Sequence, residues 1–269
     1  MPNDWPARLA VRLGAPLDVA VEDHEVAVPE PLGDAAVLRV AFAADFHAGP
    51  TTPAELLAQA ADALRSLDAD LLLLGGDFVS LRASYARAIA ALLGRIPAPL
   101  GRYAVLGNHD HWVGASTVVE QLGAAGIQVL TNRQVRLPPP FQNVTLCGLD
   151  DHTSGEPDAA GALDGAAGVR LLLMHAPSGL LDVGDRPFSV AMCGHTHGGQ
   201  IALHRGRPLV VPHGALSRRH LAGRFDLDGG RTLLVSRGVG CSTLPFRLNS
   251  PSSVFSVTLS APCRQGPAC

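Results

Sequence analysis

Val37-Leu38-Arg39-Val40-Ala41-Phe42-Ala43, followed at once by Ala44-Asp45-Phe46-His47, is an apolar run that ends in two metal-ligand-type side chains. A run of this kind suits a strand buried on both faces, as strands of a parallel sheet are. Downstream, Thr52-Pro53 opens a helix to about Ser66, with threonine as cap and proline in the first turn. Residues 70–74 read as a second buried strand, 85–93 as a helix and 102–106 as a third strand. Residues 116–122 read as a helix and 127–130 as a fourth strand. Strands alternating with helices imply a parallel sheet with helical crossovers. Upstream, residues 19–28 alternate apolar and polar and read as an edge strand, within an N-terminal region 1–36.

The second half is different. Short strands are expected at 135–137, 144–147, 169–174, 190–193, 200–203, 209–211, 224–227, 232–235 and 254–259. Helices are scarce there, and the small-residue stretch 159–168 reads as a loop. The expectation is an α/β domain over 1–260, two sheets face to face with helices outside. Residues 261–269 form a polar tail, expected to be disordered.

Composition narrows the function. Of 269 residues, 47% are apolar and 17% charged, enough for a large core and too few charges for a disordered chain. All 21 basic residues are arginine, which excludes a lysine Schiff base and a P-loop lysine. A formal charge of −3 gives no support to nucleic acid as a partner. Arg8, Arg12 and Asp18 interrupt the first 22 residues, so neither a signal segment nor a spanning helix is expected. Cytoplasmic residence is the expectation, compatible with peripheral contact at the inner membrane. Cys147, Cys193, Cys241, Cys263 and Cys269 match no zinc signature and read as buried or idle thiols. Histidine stands out, with 11 copies. It is the commonest metal ligand and a common proton shuttle.

The polar motifs sit just after the strands. Asp45-Phe46-His47 follows the first buried strand, Gly75-Gly76-Asp77 the second, and Gly107-Asn108-His109-Asp110 the third. His175 follows 169–174, and Gly194-His195-Thr196-His197-Gly198-Gly199 follows Val190–Cys193. Five segments thus deliver acidic, amide or imidazole groups to strand C-terminal ends, where α/β sheets bind ligands. The donors are oxygen and nitrogen without thiolate, which suits manganese, iron or zinc. Seven candidate ligands exceed one coordination shell, so two divalent metals are expected. A bridging carboxylate can hold such a pair ~3.5–4 Å apart, and the cations lower the pKa of a water between them to give a hydroxide nucleophile. That arrangement suits phosphoryl transfer.

In their order and spacing these motifs resemble the calcineurin-like metallophosphoesterases, over about residues 37–260. Gly194–Gln200, Gly148-Leu149-Asp150-Asp151 and Ser236-Arg237-Gly238-Val239-Gly240 with Leu244-Pro245-Phe246-Arg247 narrow the resemblance to the bacterial branch typified by YkuE and YaeI. The resemblance implies the metallo-dependent phosphatase fold, a four-layer α/β-β/α sandwich of two mixed sheets flanked by helices. It implies that Asp45, His47, Asp77 and His197 hold a first metal and that Asp77 bridges. Asn108, His175 and His195 then complete the second site. His109 contacts the phosphate and protonates the leaving oxygen, while Asp110 orients His109 through its other ring nitrogen. Manganese is the first expectation, with iron and zinc also accepted by such a set. Phe46 stands where leucine is usual in the family, which leaves every ligand in place.

His111 and Arg237 are weaker candidates for contacting substrate. His111 could line the substrate mouth or be an ordinary loop histidine. Arg237 could grip a phosphate or pair with a carboxylate. The activity expected is hydrolysis of a phosphodiester or phosphomonoester of a small substrate. One alternative is cleavage of the pyrophosphate in a nucleotide-linked lipid such as UDP-2,3-diacylglucosamine, as one relative does. It predicts an apolar groove beside the site. Against it stand the 4% aromatic content and the lack of an N-terminal anchor of the kind branch members often carry. A non-catalytic scaffold of the same fold is the alternative of another class; it predicts missing ligands, and none is missing.

Overall fold

The computed structural model describes residues 4–203, 207–212 and 214–261. Its elements in chain order are α1 (Trp5–Arg12), β1 (Val19–Ala27), β2 (Val37–Ala43), α2 (Ala54–Ser66), β3 (Leu71–Leu74), α3 (Ala86–Leu93), β4 (Arg102–Ala104), α4 (Asn108–Ala124) and β5 (Gln128–Val129). There follow β6 (Arg133–Arg136), β7 (Val144–Gly148), α5 (Ala159–Leu163), β8 (Val169–Leu173), α6 (Leu180–Val183), β9 (Val190–Cys193), β10 (Gly223–Leu227), β11 (Arg231–Val235) and β12 (Ser252–Ser260).

Two six-stranded sheets result, ordered β1-β12-β2-β3-β4-β5 and β10-β11-β9-β8-β7-β6. In the first, β2 to β5 run parallel with α2, α3 and α4 as crossovers, and β12 joins β2 antiparallel. In the second, β7, β8, β9 and β11 run parallel between the antiparallel edges β6 and β10.

Side-chain alternation explains the layering. Leu71 and Leu73 of β3 join Val40, Phe42, Leu171, Leu173, Val190 and Met192 in a core between the sheets. Leu72 and Leu74 point the other way, into a core with Leu57, Leu64, Ile89, Leu93, Val118 and Leu122 of the helices. The outer face of the second sheet packs Leu172, Ala191 and Leu233 on Ala159, Leu163 and Val183. The four layers are helices, sheet, sheet and helices. Each fully buried leucine contributes about 1.5–3 kcal/mol, which is why a four-leucine strand belongs at the centre of a sandwich.

Several local expectations change. Pro53, not Thr52, is the N-cap of α2. The Thr52 hydroxyl instead accepts from the Cys241 amide, tying this turn to a distant loop. α4 starts at Asn108, eight residues before the expected 116, and passes a kink at Gly114 with φ 126. Glycine tolerates that backbone where other residues do not. Residues 159–168 are not all loop, because Asp158 caps α5 by accepting from the amides of Ala160 and Gly161. The stretches 200–203 and 209–211 form no strands; only isolated bridges occur, Ile201 with Leu248 and Ala202 with Pro208. Cys147, Cys193 and Cys241 are buried free thiols. The tail from 262 on, with Cys263 and Cys269, lies outside the described residues. No described helix is long and apolar enough to cross a membrane.

Candidate metal centre

The strand-end loops of both sheets meet at one edge. Asp45 and His47 follow β2, Asp77 follows β3, and Asn108 begins α4 just past β4. His175 follows β8, and His195 and His197 follow β9. Backbone bonds carry the parallel pairing past the strands: Asp45 N–H donates to Gly76 O, His47 N–H to Asp77 O, and Gly194 N–H to His175 O. Five of the ligand candidates sit at positive φ: Asp45 (56), His47 (44), Asp77 (55), His195 (70) and His197 (53). Such conformations cost about 1–3 kcal/mol each and persist only where surroundings over-determine them. The continued ladder supplies that constraint and turns each side chain inward.

Glycines make the approach possible. A Cβ on Gly107 would collide with Asp77, and one on Gly194 with Asp45.

All seven predicted ligands come together, buried. Asp77 divides its carboxylate. Oδ1 accepts from the His109 amide at 2.9 Å, while Oδ2 lies 3.4 Å from His47 Nε2 and 3.5 Å from His175 Nε2. On one side of Oδ2, His47 Nε2 and His197 Nε2 stand 3.0 Å apart, with Asp45 Oδ1 3.8 Å from His197 Nε2. On the other, Asn108 Oδ1 is 3.1 Å from both His175 Nε2 and His195 Nδ1.

The donor chemistry fits two divalent cations. The facing atoms of Asp45, His47 and His197 lie within 4.8 Å of one another, as do those of Asp45, Asp77 and His175. His175 Nδ1–H donates to Gly75 O at 2.8 Å, which turns its Nε2 inward to face Asp77. Burial holds the His47 imidazole neutral, down to about 3, and holds His197 well below its ordinary range. Neutral imidazole is the form that binds metal. Burial pushes Asp45 up to about 7, a destabilised carboxylate that a cation would relieve. Burial opposes ionisation of Asp77 too, but the charge of His175 outweighs it and holds Asp77 well below the usual range.

His109 stands at the rim, with Nδ1 3.3 Å from the Ser80 carbonyl and its ring against His47 and Trp112. Asp110 does not hold it, contrary to expectation. Asp110 Oδ1 accepts from the amides of Phe78 and Val79, and Oδ2 from that of Gly107. The physical reason is position. As the third residue of α4, its carboxylate turns back to the N-cap amide of Gly107, and its other oxygen meets the amides of the loop after β3. Asp110 therefore braces the Asp77 loop against α4. Asp110→Ala is expected to lower stability by at least about 2 kcal/mol, by leaving buried amides unpaired. Urea unfolding of the variant checks this.

The two weaker candidates are engaged elsewhere. His111 Nε2 pairs with Asp150 Oδ1 at 2.8 Å, and Asp150 also accepts from the Asp151 and Glu156 amides. Arg237 pairs with Glu22 of β1 at 2.6 Å. Neither lines the cleft above the metal ligands. A residue with no assigned role does reach the centre. Arg247 is buried and donates to the carbonyls of Gly240, His197 and Ser250, and its Nη2 lies 3.1 Å from His197 Nδ1. It fixes the His197 ring. Its only signal in the sequence is its place in the Leu244–Arg247 stretch of the resemblance.

With the centre described, its relatives follow. Residues 38–199 match the calcineurin-like phosphoesterase family. The chain belongs to that family and is a phosphoric ester hydrolase. It is 32% identical over 231 residues to the phosphodiesterase YaeI of Escherichia coli K12, covering 84% of this chain and 83% of that protein. It is 31% identical over 196 residues to the uncharacterized metallophosphoesterase YkuE of Bacillus subtilis 168, covering 71% and 68%. Among solved structures, a 5'-nucleotidase precursor from Thermus thermophilus superposes with a TM-score of 0.48 at 17% identity. That match covers 83% of this chain and 54% of the other, so the chain spans about half of that structure's length.

Proposed function

We propose that the protein hydrolyses a phosphodiester or phosphomonoester at a dinuclear centre, with His109 as general acid. The observation that carries this reading is Asp77 Oδ2, placed between His47 Nε2 at 3.4 Å and His175 Nε2 at 3.5 Å. Two divalent cations, manganese first, supply when bound a water activated as nucleophile and neutralise phosphate charge.

The side chains divide the remaining work. Asp45, His47 and His197 would hold one cation and Asn108, His175 and His195 the other, with Asp77 shared between them. The hydrogen bond donated by the His109 amide to Asp77 Oδ1 leaves Oδ2 facing His47 and His175. In the protonated His109 ring, Nδ1–H donates to Ser80 O, and Nε2–H is left to protonate the departing oxygen as the P–O bond breaks. Among the described residues Cys147, Cys193 and Cys241 are free thiols, as a reducing compartment keeps them, and we propose the cytoplasm as the site of the reaction.

The test is a panel of phosphomonoesters, phosphodiesters and nucleotide pyrophosphates, assayed with manganese beside bis-p-nitrophenyl phosphate. Hydrolysis of simple esters is expected. Turnover confined to nucleotide pyrophosphates would move the assignment to the alternative chemistry.

A further inference from the structure

We infer that the substrate is an amphiphile: a phosphoester whose other substituent is a single apolar chain or ring system, lodged in the cleft beside the metal ligands. The inference rests on the proposed phosphoesterase reading and names the substrate class of the same site.

The cleft encloses about 520 Å³. Its floor is polar, formed by Asp77, Asn108, His109, His195 and His197. Its walls are mostly apolar, with Trp112, Ile201, Leu209, Val210, Pro212 and Leu244, and carry Thr153, Ser242 and Thr243 as their hydroxyls. Four of these wall residues are large, apolar and open to water: Trp112 64%, Leu209 57%, Val210 72% and Leu244 44% exposed. Exposed apolar surface grouped around a reactive floor marks a ligand site rather than scattered surface hydrophobes.

The wall offers a polar ligand the exposed hydroxyls of Thr153 and Thr243 and no larger free group. Gln200 is its largest polar side chain, and its amide is spent within the wall. Nε2 donates to the carbonyls of Leu244 and Phe246, while Oε1 accepts from the Ser242 amide and hydroxyl. Of the 21 arginines, none among the described residues lines the cleft, and Arg237 is held by Glu22. Among the described lining residues, a second phosphate or a carboxylate beyond the floor would find no arginine. A nucleobase would find one aromatic wall, Trp112. An apolar substituent is the group these walls can pair with, and the volume fits one group of ordinary ligand size.

The test uses alkyl p-nitrophenyl phosphates, from methyl to octyl, with the manganese-loaded full chain. kcat/KM is expected to rise about fourfold per added methylene until the cleft is filled, the effect of burying one methylene. Val210→Asp and Leu244→Asp, both at exposed positions, are expected to flatten that slope. Binding is read separately. In a Trp5→Phe chain Trp112 is the remaining tryptophan. Its emission is expected to shift blue on titration with octylphosphonate and to need far more methylphosphonate.

A flat chain-length series with sound turnover of the methyl ester overturns the amphiphile inference and leaves the phosphoesterase reading standing. A slope that survives both aspartate substitutions also overturns it. No turnover of any ester, in protein that retains metal, overturns the reading beneath it. Offering the octyl ester as monomer and in phosphatidylcholine vesicles distinguishes a dissolved substrate from a membrane-held one.

Discussion

Asp77→Ala is expected to leave the chain with less than one tightly held cation and to cut phosphoester turnover by about 10³-fold or more. The size follows from geometry. Oδ2 is shared by the His47 and His175 sides, so both shells lose a ligand at once. The amide of His109 also loses its acceptor, which loosens the first turn of α4 where Asn108 sits. His175 loses the charge that faces it across 3.5 Å. Metal analysis of the purified variant and a urea unfolding curve separate lost metal from lost fold. A variant holding two cations and working within tenfold of the parent would show that Asp77 does not bridge.

His109→Ala should behave in the opposite way toward metal. Both cations stay, because His109 holds neither in this account, and kcat falls by about 10²–10⁴-fold, the usual range for a general acid. The loss depends on the leaving group. An alkoxide needs its proton, whereas p-nitrophenolate departs without much help, so the penalty shrinks sharply on the nitrophenyl ester. Comparing the two substrates in one variant isolates proton donation from binding. Equal losses on both would remove the general-acid role. Loss of a cation would instead place His109 among the ligands, since its ring lies within reach of His47 and Asp77.

Much of this centre is legible in the sequence because strand ends carry it. The apolar run Val40-Ala41-Phe42-Ala43 declares its own burial, though Val37 and Arg39 before it are exposed, and the residues just past it have to emerge at the sheet edge. Asp45, His47, Asp77, His175, His195 and His197 all follow that rule. The direction a side chain takes inside a turn is not legible in the same way. Asp110 looked like a partner for its neighbour His109, yet its place in the first turn of α4 sends it to three backbone amides. Thr52 looked like a cap and is engaged with Cys241, 189 residues away in sequence. Arg237 and Arg247 read alike, as arginines in the closing segments. Only long-range packing sends one to Glu22 and the other to His197. The cleft walls were hidden for a related reason. Ile201, Leu209 and Val210 belong to irregular chain, where no period reports which face is wet. The apolar groove they form is the feature expected of a lipid-linked substrate. Among the described residues that line the groove there is no arginine.

The most direct measurement is metal content per chain, taken with turnover of bis-p-nitrophenyl phosphate, before stripping, after stripping and after reloading with manganese. The account predicts two cations per chain at full activity. It predicts loss of activity with the metal and recovery in proportion to the manganese taken up. Full turnover in the metal-stripped chain would contradict it.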